Sequence, residues 1–290
     1  MYTDDMKYLK NTSGVLTVFS VVFFSLCYFW PADSGLPEII QISAGIFGIY
    51  VGFAVANSRS RLNQIDNMLK VENANNLLIY KLSQSFGKEE QAKIRGMLDD
   101  YIIDQIDYRL EDFRLSRKSF FKLYDHVVQL KPKDENQEAT LAAMIECLNT
   151  SSTNRSNIES VVAQRISRHE WVAIIILGAV LVANLYSASD GSWQTALILT
   201  GIGAASVLLM LVLSELNDLK WQKDIWTWKP FHQLFLDLDL VPYYSRRLLE
   251  IGEAKVEKGE KVRLADYPNP YPDTTGKVVT TEEYGVRVLG

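Results

Sequence analysis

Three histidines, two cysteines and a scatter of carboxylates are the groups from which this 290-residue chain would have to build catalysis or a metal site. A transition-metal site needs three or four His, Cys or carboxylate ligands, typically brought together by short spacings along the chain. His126, His169 and His232 are scattered, with no second His or carboxylate at ligand spacing, so they read as surface or interface histidines. Cys27 and Cys147 have no His partner in sequence to activate a thiolate, and two distant cysteines make no disulfide scaffold. Gly201 and Gly203 lie inside an apolar run, where they ease helix contact and cannot cradle a phosphate. The expectation is a protein that is not an enzyme and holds no cofactor and no metal. A net charge of -5 also excludes a basic nucleic-acid-binding surface.

The spacing that carries information lies in one apolar stretch. Gly45, Gly48, Gly52 and Ala56 fall on one face of a helix, the small-xxx-small pattern that lets membrane helices pack closely. On the other side Ile39, Ser43, Ile46, Tyr50, Phe53 and Asn57 follow spacings of four and three, a stripe of bulky and weakly polar groups ending in an amide. If the glycine face packs on neighbouring helices, the stripe looks onto a central axis or onto lipid. Ser43 and Tyr50 fit lipid poorly, and a hydroxyl bonded to another span is the alternative account.

Four windows free of Asp, Glu, Lys and Arg supply the elements that must position these faces: 15–30, 39–56, 171–186 and 193–213. Crossing a bilayer takes roughly 20 helical residues, so the shorter windows need their aromatic edges, Tyr28, Trp30, Trp171, Tyr186 and Trp193. The links between paired windows carry no Lys or Arg, whereas Lys7, Lys10, Arg59, Arg61, Arg165, Arg168, Lys220 and Lys223 flank the opposite ends. Positive residues mark the inner side, so both termini are expected in the cytoplasm. The links instead hold Asp33, Glu38 and Asp190, which would make a symmetric outer mouth negative and attractive to cations. Each acid also has a local reading: Glu38 at a helix start, Asp33 and Asp190 in turns.

Between the hairpins, Leu62, Ile65, Leu69, Leu78, Leu82 and Phe86 continue the second helix as far as Gly87. Further amphipathic stretches run from Ile94 to Val127 and from about Asn136 to Ile166, the latter with a Ser/Thr/Asn cluster at 149–157 that breaks or frays it. Trp221, Trp226, Trp228, Phe231, Leu234, Phe235 and Leu238 make a short helix suited to the bilayer interface or the stalk. Residues 255–264 alternate around Lys258 and Gly259 like a small hairpin, and the prolines of 267–272 demand an extended strap. The fold expected is an all-α integral membrane protein: four transmembrane helices, a long cytoplasmic helical stalk and an extended C-terminal tail. Its segments are a first hairpin (1–57), a stalk (58–168), a second hairpin (169–214) and a juxtamembrane helix with tail (215–290).

The run 47–51, Phe-Gly-Ile-Tyr-Val, leading through Asn57, Ser58, Arg59, Ser60 and Arg61 into a long polar helix, resembles the second membrane segment of bestrophins and bestrophin-like proteins. The order of spans, stalk and tail is similar too. The resemblance implies a homopentameric ion channel whose neck is lined by this segment, here Ser43, Ile46, Tyr50, Phe53 and Asn57, with a tail embracing adjacent subunits. The double tryptophan that usually follows the segment is replaced by Ser60, Arg61 and Leu62, and no acidic calcium clasp is found. The reading is therefore a homo-oligomeric, cation-preferring channel in a bacterial inner membrane or a plasma membrane. Its partners would be the lipid bilayer, identical subunits and inorganic ions. The alternative is a non-conducting membrane scaffold whose stalk recruits a soluble partner.

Overall fold

The computed structural model describes residues 4–34, 37–108, 110–219, 228–250 and 254–284, with backbone alone for 4–12 and 37. Lys7, Lys10, Lys220, Lys223, Trp221 and Trp226, on which the expected orientation and juxtamembrane helix partly rest, lie outside the described side chains. The chain forms two compact units, one of Tyr2–Leu62 with Arg165–Trp221, the other of Asn63–Gln164 with Gln222–Gly290.

In the first unit, α1 (Asp4–Phe29), the N-terminal part of α2 (Pro37–Ser83; its outer part in the expected orientation), α6 (Arg168–Ser187) and α7 (Trp193–Asn217) pack as helices. Phe23, Cys27, Phe47, Val51, Ile174, Leu181, Leu185 and Leu213 form its core. The apolar stretches of α2, α6 and α7 are long and uncharged enough to cross a membrane; the described apolar part of α1, Ser13–Phe29, falls short of that length. The protein is thus a membrane protein with three candidate spans where the windows predicted four. Close helix approach within the unit rests on two glycines. A Cβ on Gly178 would sit 3.2 Å from the Met210 sulfur, and one on Gly203 would sit 3.2 Å from the Phe19 ring. Ser167 caps α6 in a reciprocal capping box with Glu170, and Ser192 caps α7, so both helices begin where their sequences supply a donor-acceptor pair.

The second unit is built on the inner part of α2, with α3 (Lys88–Asp107), α4 (Arg117–Val128), α5 (Glu135–Ala163) and α8 (Lys229–Asp237). The long second helix ends through a short 3₁₀ turn, Gln84–Phe86, at Gly87, whose φ of 100° only glycine adopts readily. The stretch after Ile94 is not one helix. It breaks into α3, a 3₁₀ segment Leu110–Ser116 and α4. The Ser/Thr/Asn cluster breaks nothing, since α5 runs straight through it, because Ser151, Arg155 and Ile158 are buried and packing overrides weak propensity.

The expected all-α fold is mostly helical but includes a three-stranded sheet. β1 (Tyr243–Ser245), followed by the short α9 (Arg246–Glu250), lies parallel to β2 (Lys261–Asp266). The hairpin around Lys258 and Gly259 does not form, because the antiparallel partner of β2 is β3 (Val278–Glu283), with Lys261 opposite Glu283 and Asp266 opposite Val278. Gly259 makes a turn at φ 88° and donates its N–H to the Tyr284 carbonyl. Nor is the tail free: Phe231, Phe235, Tyr243, Tyr244, Val262 and Leu264 share one core with Ile79, Leu98, Tyr101, Phe120 and Leu148. The proline strap lies across the same unit, where Asp107 accepts hydrogen bonds from Tyr243 (2.8 Å), Tyr267 (2.5 Å) and the Lys277 ammonium (2.5 Å). Tyr271 adds a bond to Asp112.

Candidate functional site

Around the outer part of α2 the residues sort into three faces. The face turned to its own chain carries Ser43, Phe47, Val51 and Ser58, spaced one turn or nearly two turns apart; all four are buried, and Phe47 and Val51 share a core with α1, α6 and α7 residues. The bulky stripe lies beyond it: Phe53 is 68% exposed, and Ile39, Ile46, Tyr50 and Asn57 are exposed as well. Ser43 stands at the edge of the two. It is 9% exposed and donates its hydroxyl to the Ile40 carbonyl at 3.0 Å, so its polar group is satisfied within its own helix. The third face, Gly45, Gly48, Gly52 and Ala56, is also exposed, and a Cβ on any of the three glycines would meet no atom within 4 Å. Close packing inside the chain uses Gly178 and Gly203 instead. Their signal in the sequence was weaker, a lone small residue in one span and one of a pair in another.

The two short links are laced together. The N–H groups of Asp33 and Ser34 donate to the carbonyls of Ser189 and Ser187 at 3.0 and 2.9 Å, and Tyr186 donates to the Trp30 carbonyl at 2.7 Å. Asp33 and Asp190 are thereby brought into adjoining turns. Asp190 is engaged within its own turn. Its carboxylate accepts from the Ser192 N–H at 2.9 Å and the Thr195 hydroxyl at 3.1 Å, and these bonds hold its pKa below the usual carboxylate value. Glu38 lies in the first turn of α2, where its charge complements the helix dipole.

At the other end of the same unit the Arg61 guanidinium donates to the Asn217 carbonyl at 2.7 Å, with Arg165 and Asp218 within electrostatic reach. The Asn217 side chain in turn accepts from the Ile166 N–H at 2.9 Å. Basic groups therefore gather opposite the laced links.

A family model for the bestrophin-like domain matches residues 38–219, well over half of the chain. The chain belongs to the bestrophin-like family. The match begins at Glu38 and takes in all three faces of α2, α6 and α7. Among solved structures, a crystal structure of a membrane protein is similar at a TM-score of 0.62 and 12% identity, covering 81% of this chain and 100% of that one. A variant of a bacterial bestrophin homologue from Klebsiella pneumoniae is similar at a TM-score of 0.57 and 12% identity, covering 73% and 90%. At that identity the likeness is one of fold. No curated protein matches the sequence.

This bestrophin-like chain also holds a buried polar cluster that reasoning from the sequence missed. In the second unit, Glu72 and Arg155 are 0% and 3% exposed. Tyr101 and Gln105 hydrogen-bond to the same Glu72 oxygen, Gln105 at 2.8 Å, and Arg155 also reaches Tyr101. The signal was present. Ile65, Leu69, Glu72, Asn76 and Ile79 keep alternating spacings of four and three, as do Leu148, Ser151, Arg155, Ile158 and Val162, so an acid and a base each occupy a core position. No group of three or more potential metal ligands occurs among the described residues.

Proposed function

We propose that this bestrophin-like protein assembles with identical copies into an ion channel whose pore is lined by the exposed stripe of α2. The family and the shared fold support an ion channel at the level of the family. The observation that carries the assignment to α2 is that Ile46, Tyr50, Phe53 and Asn57 are exposed together on a helix whose adjacent face, Phe47, Val51 and Ser58, is packed. Ser43 stands at the margin of that stripe. An uncharged lining of this kind lets ions pass without a tight binding site, and a ring of Phe53 and Ile46 side chains would gate by dewetting. The exposed glycine face, with nothing of its own chain against it, fits a neighbouring copy's helix. Five subunits follow from the family resemblance.

In this reading α1 is the fourth span, its apolar run closed by Tyr28 and Phe29 and extended by Trp30 at the outer interface. Both termini are cytoplasmic in a bacterial inner membrane or a plasma membrane, since the basic residues gather opposite the laced links. Asp33, Glu38 and Asp190 make the outer mouth negative, which favours cations. The test is conductance of the purified protein in a planar bilayer under asymmetric KCl. Selective current with a reversal potential toward potassium supports the proposal, a value near the chloride equilibrium potential overturns the cation preference, and silence in protein of intact oligomeric mass overturns the channel.

A further inference from the structure

We propose that Glu72, buried in the second unit, is a proton-binding site, its carboxyl held as the neutral acid when the helices close around it. The inference is independent of whether the protein conducts.

Glu72 lies on the inner part of α2, beyond the uncharged window that ends at Ala56, in a region packed as a water-soluble core. All three of its hydrogen-bond donors converge on one oxygen. Oε1 receives the Tyr101 hydroxyl, the Gln105 amide at 2.8 Å and Arg155 Nη1 at 3.4 Å, while Oε2 is buried with no partner among the described residues. A carboxylate carries acceptor sites on both oxygens, and leaving one bare in a low-dielectric core is costly. A proton on Oε2 neutralises the group and so removes the larger part of that cost, the part due to charge. The Gln105 amide nitrogen, which also donates to the Tyr101 hydroxyl at 2.7 Å, is turned to the Oε1 side and leaves Oε2 bare.

Among the described residues of the cluster the cation is Arg155, and most of its donors are turned away from Glu72. Arg155 Nη2 donates to the Phe113 carbonyl at 3.2 Å and the Ser116 hydroxyl at 2.9 Å, Nη1 reaches Tyr101, and the guanidinium lies 5.1, 4.5 and 5.2 Å from the ring centres of Tyr101, Phe113 and Phe120. Glu159, which takes a two-pronged bond from Arg117 at 3.1 and 2.7 Å, also draws on the Arg155 charge. Thus α3 presents Tyr101 and Gln105 to the site and α5 presents Arg155, with Glu159 acting on Arg155 from beyond. The 3₁₀ segment and α4 contribute a carbonyl, a hydroxyl and aromatic faces that hold Arg155 whether or not Glu72 is charged. Burial therefore outweighs the charge and hydrogen bond of Arg155 and the hydrogen bond of Gln105, and the Glu72 pKa is pushed up to about 7.

Because the folded value is raised, the contribution to stability is fully present below the ordinary carboxyl pKa of 4.5 and is lost as pH rises through about 7. The test compares the melting temperature of the full-length protein in detergent with that of Glu72→Gln from about pH 5 to about pH 8. The amide imitates the neutral acid. The unaltered protein should lose about 5 °C more than the variant across that range, and the variant should melt higher at the alkaline end. Parallel profiles, or a variant weaker by the same amount at every pH, overturn the proposal. Should Glu72→Gln not fold, infrared difference spectra of the unaltered protein over the same range carry the test. A protonated-carboxyl band that vanishes near about pH 7 and whose midpoint moves in Tyr101→Phe supports it. No such band, or one indifferent to Tyr101→Phe, overturns it.

Discussion

In the second unit α2 shows Ile65, Leu69, Glu72, Asn76 and Ile79 to its own chain, and its neighbours α3 and α5 answer with hydrogen bonds from Tyr101, Gln105 and Arg155. In the first unit the same helix gives its chain only a narrow face, Phe47, Val51 and Ser58 with Ser43 at its edge, and exposes both the glycine face and the Phe53 stripe. One helix thus obeys two rules. Where water is the solvent, burial drives the chain to cover its own apolar face. Where lipid is the solvent, apolar exposure costs nothing, so a membrane helix is free to keep its faces for lipid, an axis or another copy.

The contrast breaks most severely if the self-sufficient unit loses a charge. Arg155→Ala removes a buried guanidinium that donates to the Phe113 carbonyl and the Ser116 hydroxyl and packs on three aromatic rings, at a cost of about 2 to 4 kcal/mol. Thermal unfolding of the full chain should register this as a large drop, whereas a loss of under about 1 kcal/mol would mean that Arg155 is not enclosed in the folded protein. Deleting 266–290 comes next. It removes β3 and two of the three partners of Asp107, Tyr267 and Lys277, leaving a buried carboxylate short of donors, so the second unit should become protease-sensitive while the helices of the first stay inserted. Equal resistance to proteolysis would show that the strap contributes no stability.

The open helix faces call for smaller effects of a different kind. Gly48→Leu meets no atom of its own chain, so the protomer should fold, but oligomer contacts should weaken by about 1 to 3 kcal/mol, seen as a loss of mass in detergent. An unchanged mass would remove the glycine face from the interface. Phe53→Ala should alter stability by less than about 0.5 kcal/mol, since the side chain is exposed, and yet change single-channel conductance. An unchanged conductance would exclude Phe53 from the pore. Smallest of all, joint replacement of Asp33, Glu38 and Asp190 by Asn or Gln should reduce cation current mainly at low salt, where screening lengths are long. Loss that is equal at every salt concentration would point to the turn-making bonds of Asp190 instead.

The spans of α2, α6 and α7 could be read from the sequence because a helix without charge over a membrane's width is poorly suited to water. The length of α2 and its stop at Gly87 were legible for a related reason, as periodicity and a glycine stop are local signals. The strand pairing was not, because β2 finds β3 across the proline strap, and a distant partner leaves no mark on the hairpin-like residues beside Gly259. Glu72 and Arg155 were overlooked since a charged residue is ordinarily assigned to the solvent side; only the burial of their neighbours places them inside. The glycine-rich pattern was visible, but the sequence could not say that Gly178 and Gly203 would make the chain's own tight contacts.

The laced links bear on how α2 can move. With Asp33 and Ser34 fastened to Ser189 and Ser187, the N-terminal end of the helix would act as a pivot and its long body as a lever. From Pro37 to Ala56 a helix rises about 28 Å, so a tilt of about 5° shifts the inner end sideways by about 2.5 Å while the outer end hardly moves. The bulky residues nearest the inner end, Phe53 above all, would travel farthest, which puts the greatest mechanical advantage on the side chains that a ring of copies would need to part.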